Sequence, residues 1–320
     1  MKKLLSMTLI MVMIMCLFTG CAQITNYTSK SAKKIKIGVS LAEFNNKYTT
    51  YLLSEMKNYS KSFNDVEVTF VDANKNSNTQ LSQVETFISQ GMDAIIVNST
   101  YTDASKPMTD KANAAGIPII SLMTPFANQD DAASFVVPDS KQAGISEMEY
   151  LAKKVNYKGN VAIIMGPLQD QAQKWRTEAV HEVVAKYPEM KIVAQQSAEW
   201  DRAKAMALMQ TWLESGKQID VVAANNDEMA IGALNAIEAA GKLGKIAVSG
   251  IDATPDALEY LKSGKLTVTS FQDATKLAKY SIDTAIKASR GENVEKIIYI
   301  PNELVTPEDA DKYMAKWKNN

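Results

Sequence analysis

Cysteine is nearly missing from this chain: Cys16 and Cys21 are the 2 in 320 residues. Both fall within the first 21 positions, so the rest of the chain has no disulfide and no thiol chemistry to offer. Histidine is scarcer still. The single one, His181, sits at a spacing that fits the outer face of an amphipathic helix, which leaves imidazole catalysis without a residue. No HExxH, GxSxG or P-loop pattern occurs, and no DxDxDG-like loop points to calcium. The acid pairs Asp130-Asp131 and Asp309 with Asp311 read as solvated loop and helix-end groups, and Met206 and Met209 read as core filler rather than metal ligands. No catalytic residue, cofactor or metal is therefore expected. A surplus of one charge is missing too. With 35 Lys+Arg against 36 Asp+Glu the formal net charge is -1, which provides no basic footprint for nucleic acid. The uncharged run from Leu4 to Phe18 is too short for a comfortable membrane span.

That run has another use. Lys2 and Lys3 precede it and small residues follow, the layout of an export signal over residues 1–20. The sequence LFTGC (17–21) resembles a bacterial lipobox, in which the cysteine is lipidated and becomes the first residue of the mature protein. Cys21 is then a lipid anchor. Phe18 stands where an aliphatic residue is usual, which keeps ordinary secretion as the alternative. Residues 21–34 are polar and patternless, as suits a tether between lipid and domain. Removing residues 1–20, which carry two lysines and no acids, moves the formal charge from -1 to -3. The remaining length exceeds one typical core and fits two domains of about 100 to 150 residues.

From Ile35 onward, short β-branched runs alternate with stretches of helical period, the signature of parallel βαβ units. IKIGVSL (35–41), VEVTFVDA (66–73), DAIIVN (93–98) and PIISLM (118–123) read as strands, with helices expected at 48–63, 79–90 and 105–115. The rhythm then restarts. Helices at 141–155, 173–187 and 202–215 alternate with the strands NVAIIMG (160–166), KIVAQQSA (191–198), VVAANND (221–227) and IAVSGID (246–252). LTVTSFQDA (266–274) and EKIIYIP (295–301) read as late strands around a helix at 275–290.

Three buried runs break off at hydrogen-bonding residues. VVAANND delivers Asn225, Asn226 and Asp227, DAIIVN ends on Asn98, and IAVSGID ends on Asp252. In open α/β sheets ligands collect beyond the carboxyl ends of the strands. A simpler role for Asn226 or Asp227 is to cap the helix 228–240, a contribution of about 1 kcal/mol. The recurrence at three strand ends favours one shared pocket.

The segments QLSQVETFISQGMDAIIVN (80–98), RTEAVHEVVAKYPEMKIV (176–193), IDVVAANNDEMAIGALNAIEAAGK (219–242), GIDATPDALEYLKSGKLTVTSFQDA (250–274) and PNELVTPE (301–308) together carry a resemblance. The chain resembles the periplasmic sugar-binding proteins of the ribose-binding cluster (type I periplasmic binding proteins), and within it the inositol- and rhizopine-binding proteins. The resemblance implies an α/β fold of two Rossmann-like lobes joined by three hinge strands, near Pro138, Gln272-Asp273 and Asn302. The lobes would comprise 35–137 plus 273–301, and 138–272 plus 302–320. It also implies a ligand site. Arg176 would grip ring hydroxyls, Trp200 would wall the C–H face of the ring, and Asn226, Asp252 and Gln272 would supply polar contacts. Asn46, Tyr48 with Phe44 behind it, and Asn98 would complete the pocket from the other lobe. Met123 and Thr124 stand where the family usually carries an arginine and a polar neighbour, and Pro138 replaces a small polar residue. A deoxy, methylated or otherwise less polar ligand suits Met123 better than a fully hydroxylated one.

The function implied is capture of a sugar or cyclitol for an ABC permease, by a monomer held on the outer face of the cell membrane through a lipid anchor. A ligand sensor that docks on a membrane receptor or histidine kinase is the alternative. An exported hydrolase on the same fold class lacks its catalytic groups.

Overall fold

The computed structural model describes residues 34–318; the export signal, Cys21 and all of the tether except Lys34 lie outside the described residues. Strands β1 (Ile35–Leu41), β2 (Val66–Asp72), β3 (Ala94–Val97), β4 (Ile119–Leu122), β5 (Ser134–Pro138) and the late β11 (Ile297–Ile300) form one sheet. Its order is β11-β5-β4-β3-β1-β2, parallel throughout. A second parallel sheet, in the order β7-β6-β8-β9, is built from β6 (Gly159–Met165), β7 (Met190–Ser197), β8 (Val221–Ala224) and β9 (Ala247–Ser249). A short antiparallel pair, β10 (Thr269–Phe271) with β12 (Glu303–Val305), joins the second sheet through the bridges Ser249–Val268 and Asp252–Phe271.

Both parallel sheets are doubly wound. Strand order reverses at β1/β3 in the first and at β6/β8 in the second, and a crevice opens beyond the carboxyl ends at each such point. Burial on two faces explains the unbroken apolar runs. In β3, Ala94 and Ile96 enter one core cluster, whereas Ile95 and Val97 enter another. In β8, Val222 and Ala224 face one cluster and Val221 and Ala223 the opposite one.

The helices are α1 (Lys47–Ser60), α2 (Ser77–Ser89), α3 (Lys106–Ala114), α4 (Ser140–Lys154), α5 (Gln171–Val184), α6 (Arg202–Glu214), α7 (Asp227–Ala239), α8 (Pro255–Lys262), α9 (Ala274–Ser289) and α10 (Ala310–Lys318). Most begin at an Asn, Asp or Thr cap whose side chain accepts backbone N–H groups, which fixes where each strand-to-helix turn points. The chain passes from the first sheet to the second after Pro138, returns around Gln272 and Asp273, and crosses again after Ile300. Helix α9 consequently covers the first sheet, where Leu277, Ala278, Ile282 and Ala285 are fully buried. Trp317 of α10 touches the cores of both sheets.

Several elements depart from the sequence expectation. The run VVAANND stops being a strand at Ala224, because Asn226 turns out of the sheet to cap α7. LTVTSFQDA contracts to Thr269–Phe271, since Gln272 and Asp273 form a crossing. Strands β5 and β12 and helices α8 and α10 were not anticipated as elements. Met209 is fully buried, but Met206 is 38% exposed and fills no core. His181 is exposed as expected, and its Nε2 lies 2.7 Å from Gln195 Oε1. Among the described residues no helix is long and apolar enough to cross a membrane, and no cluster of three His, Cys, Asp or Glu could hold a metal.

Candidate functional site

The carboxyl ends of β1, β3 and β4 face those of β6, β8 and β9 across a cavity of about 260 Å³. Asn46, Tyr48, Asn98, Met123, Arg176, Trp200, Asn226, Asp252 and Gln272 all line it, so the nine residues singled out in the sequence come together at one place. The cavity lies below the ~300 to 1,000 Å³ common for drug-sized ligands, a size for a single small ring or short polyol.

On the side of the first sheet the predicted residues divide into scaffold and surface. Asn46 caps α1, its Oδ1 accepting from the amides of Tyr48 (3.0 Å) and Thr49 (3.3 Å). That turn aims Tyr48 inward, where its hydroxyl donates to the Gln272 carbonyl at 3.3 Å. Asn98 pins three strand ends together. Its Nδ2 donates to Leu122 O (3.1 Å) and Thr124 Oγ1 (3.3 Å), and its Oδ1 accepts from the Ala42 amide (3.4 Å). Met123 puts an apolar side chain on the wall from a left-handed backbone, φ 63°.

The side of the second sheet carries the charge. Arg176 is only 4% exposed and so is not a free helix-start arginine. Its Nη1 donates to Asn225 O and its Nη2 to Gln272 Oε1, each at 2.7 Å. Two of the five guanidinium donors are thereby firmly committed in one fixed plane, and Nη2 also makes a long bond of 3.5 Å to Ser140 Oγ. Asn226 caps α7, its Oδ1 accepting from the Met229 amide at 3.0 Å, and the residue also lines the cavity. Asp252 is 4% exposed, and among the described residues no donor bonds to its carboxylate. It too sits at positive φ, 123°.

Trp200 is half-buried: it packs against the core of the second sheet and also walls the cavity. Glu199 and Trp200 are both left-handed, φ 56° and 63°, which turns the indole back over the end of β6. There the ring lies against Gly166, where a Cβ would come within 2.3 Å of it. The Arg176 guanidinium is 5.7 Å from the ring centroid, within cation–π reach. Met123, Trp200 and Asp252 are non-glycine residues in a sparsely populated backbone region, and such strain clusters where a site over-determines the chain.

Two buried carboxyls, Asp252 and Glu147, feel the charge of this one guanidinium. Burial pushes the Asp252 and Glu147 carboxyls well above the usual range, and in both the Arg176 charge works against that push. Burial also raises Asp227 to about 7, against hydrogen bonds from Thr269 and Thr254. Glu147 is buried, its Oε2 accepting from Ser249 Oγ at 3.4 Å. Sequence reasoning missed it because SEMEYLAKK looks like a charged helix face. Also missed were Asp170, Glu199 and the stretch Ser99–Tyr101, which line the cavity from loops. Only the Asn and Asp cap pattern could have marked Asp170 in advance.

Comparison with known proteins agrees with this geometry. The periplasmic binding protein domain matches residues 37–293. A Rhizobium meliloti protein proposed to bind rhizopine is 40% identical over 294 residues, covering 90% of this chain and 95% of that one. The ribose import binding protein of Bacillus subtilis is 32% identical over 278 residues, covering 87% and 89%. Among solved structures, an ABC transporter solute-binding protein of Bacillus halodurans with bound myo-inositol is 44% identical. It superposes with a TM-score of 0.86 over 90% of this chain and 99% of that one. These relatives are binding proteins rather than enzymes, and the chain belongs to the periplasmic binding protein family.

Proposed function

We propose that this chain is an extracytoplasmic lipoprotein that captures a cyclitol or related small polyol and delivers it to an ABC importer. The observation that carries the proposal is the pairing, in one small cavity, of the buried Arg176 with the unbonded Asp252 beside the Trp200 wall. A polyhydroxylated ring offers donor and acceptor hydroxyls at its edge and C–H bonds on its faces. Arg176 and the Asn226 amide nitrogen supply donors, Asp252 supplies the acceptor, and Trp200 meets a face.

The two halves, 35–137 with 273–301 and 138–272 with 302–320, act as lobes that close about the crossings near Pro138, Gln272-Asp273 and Asn302. Gln272 supports this role, because it accepts from Arg176 of one half and from Tyr48 of the other. A ligand touching both halves stabilises the closed state by its differential affinity. Attachment through Cys21 rests on the LFTGC pattern. The ribose import relative supports transport over sensing.

The inositol-bound and rhizopine-associated relatives support a cyclitol. Met123 supports a ligand with a less polar edge, a deoxy or methylated derivative, because a hydroxyl buried against it would lack a partner at a cost of about 1 to 3 kcal/mol. A thermal-shift screen with myo-inositol, scyllo-inositol, their methyl and deoxy derivatives, xylitol and ribose tests the proposal. At 100 times the dissociation constant a ligand stabilises by about 2.7 kcal/mol. A selective shift with one cyclitol is expected. A shift with ribose alone, or with none of these polyols, refutes the ligand class.

A further inference from the structure

Asp170 belongs to none of the ligand contacts transferred to this chain, yet it touches two parts of the site at once. It occupies the turn between β6 and α5. Its Oδ1 accepts from the amides of Ala172 (2.8 Å) and Gln173 (3.4 Å), capping the helix that carries Arg176 one and a half turns later. Its Oδ2 accepts from the Trp200 indole Nε1 at 3.3 Å. An indole has one donor and no acceptor, so this bond commits its polar edge.

The rest of the indole's surroundings fix the ring by shape rather than by direction. Gly166 allows the ring to lie flat on the backbone. Gly166 is itself held, its carbonyl accepting from Ser197 Oγ at 2.7 Å and its amide donating to Asn225 Oδ1 at 3.3 Å. A flat floor permits an asymmetric ring to slide or flip. The bond to Asp170 selects one of those arrangements, the one in which the N–H is committed to that carboxylate.

We propose that Asp170 is a positioning residue, whose one carboxylate locks the Trp200 wall to the helix bearing Arg176 and so sets the spacing between them. This rests on the polyol-binding reading of the site. The consequence for specificity is that Trp200 offers ligand a stacking surface and no hydrogen bond, so discrimination on that side follows the shape of the ring face.

The test separates capping from ring-holding. Asp170→Ser keeps a good N-cap, but its side chain is too short to reach the indole. In 15N-labelled full-length chain, the four tryptophans give indole N–H signals, and Trp200→Phe identifies that of residue 200. In Asp170→Ser this signal should move and exchange faster with water while the other three stay, without any ligand present. An unmoved signal overturns the proposal. Calorimetry with myo-inositol then gives the coupling. Asp170→Ser should weaken binding about tenfold in the wild-type background and less than about twofold when Trp200 is already Phe. Equal losses in both backgrounds overturn the proposal in favour of a direct contact or a cap alone. If wild-type protein does not bind myo-inositol, the coupling is read with the methyl or deoxy cyclitol that gives a thermal shift; if no cyclitol binds, the ligand assignment fails, and the indole signal still decides whether Asp170 holds the ring.

Discussion

Replacing Arg176 by Ala should abolish practical ligand binding while leaving a folded protein. In the unliganded molecule the guanidinium spends two donors, at 2.7 Å each, on Asn225 O and Gln272 Oε1. The second Nη1 donor is uncommitted and the Nη2 bond to Ser140 Oγ, at 3.5 Å, is long enough to give way, so two donors can serve hydroxyls on the cavity side, whereas Nε is buried. A hydrogen bond to a charged group contributes about 1.5 to 3 kcal/mol, so two such contacts amount to about 3 to 6 kcal/mol. The dissociation constant should then rise by about 10² to 10⁴, at 1.4 kcal/mol per tenfold. Stability responds to opposing effects. The orphaned carbonyls cost about 1 to 3 kcal/mol each, whereas deleting a desolvated cation returns part of its burial penalty. A net loss of about 2 kcal/mol is expected, with Glu147 and Asp252 pushed still further towards their protonated forms as the opposing charge disappears. Calorimetry with the best ligand of the screen, together with thermal unfolding, measures both numbers. A folded Arg176→Ala protein that binds within threefold of wild type would refute the assignment, and Arg176→Lys should fall in between because an ammonium lacks the planar fork.

Gly166→Ala should weaken binding without a comparable loss of stability, since the new Cβ would press to 2.3 Å on the Trp200 ring and displace the wall; unchanged affinity by calorimetry would place the ring elsewhere. Asp227 gives a pH signature. Its folded-state carboxyl is raised from 3.8 to about 7, so between those values the unfolded chain binds fewer protons and stability falls as pH rises, on the order of 4 kcal/mol at 1.36 per unit. Its contribution is flat below about 4 and above about 7, and urea unfolding of Asp227→Asn across pH 4 to 7 should lack that part of the slope; parallel profiles for the two proteins would contradict it. Trp317→Ala should cost about 2 kcal/mol or more by thermal unfolding, because the ring stacks 4.7 Å from Tyr51 and donates to Ala253 O at 2.7 Å.

Sequence pattern revealed most of the strands because parallel strands buried on both faces must be continuously apolar, as in IKIGVSL, whose limits coincide with β1. It misjudged VVAANND and LTVTSFQDA, where capping and chain crossing, rather than hydropathy, ended the strand. Strand β5 escaped notice because Pro138 reads locally as a break, although as the last residue of the strand it needs no further ladder donor. The site residues at strand ends were legible from where apolar runs stopped. Asp170 and Glu147 were not, since their directions depend on a loop and on a helix crossing that no local pattern encodes. Nor does residue type disclose the left-handed backbone at Met123, Trp200 and Asp252, which tertiary contacts impose.

The route of the chain between its sheets bears on its synthesis. The first core cannot close around residues 35–138 alone, because it needs α9, which ends at Ser289, and the edge strand that ends at Ile300. A nascent chain therefore carries an open sheet edge and an uncovered apolar face until synthesis has passed Ile300. Contacts that span such long separations form slowly, so closure of the first core is a late step that waits on residues far along the chain.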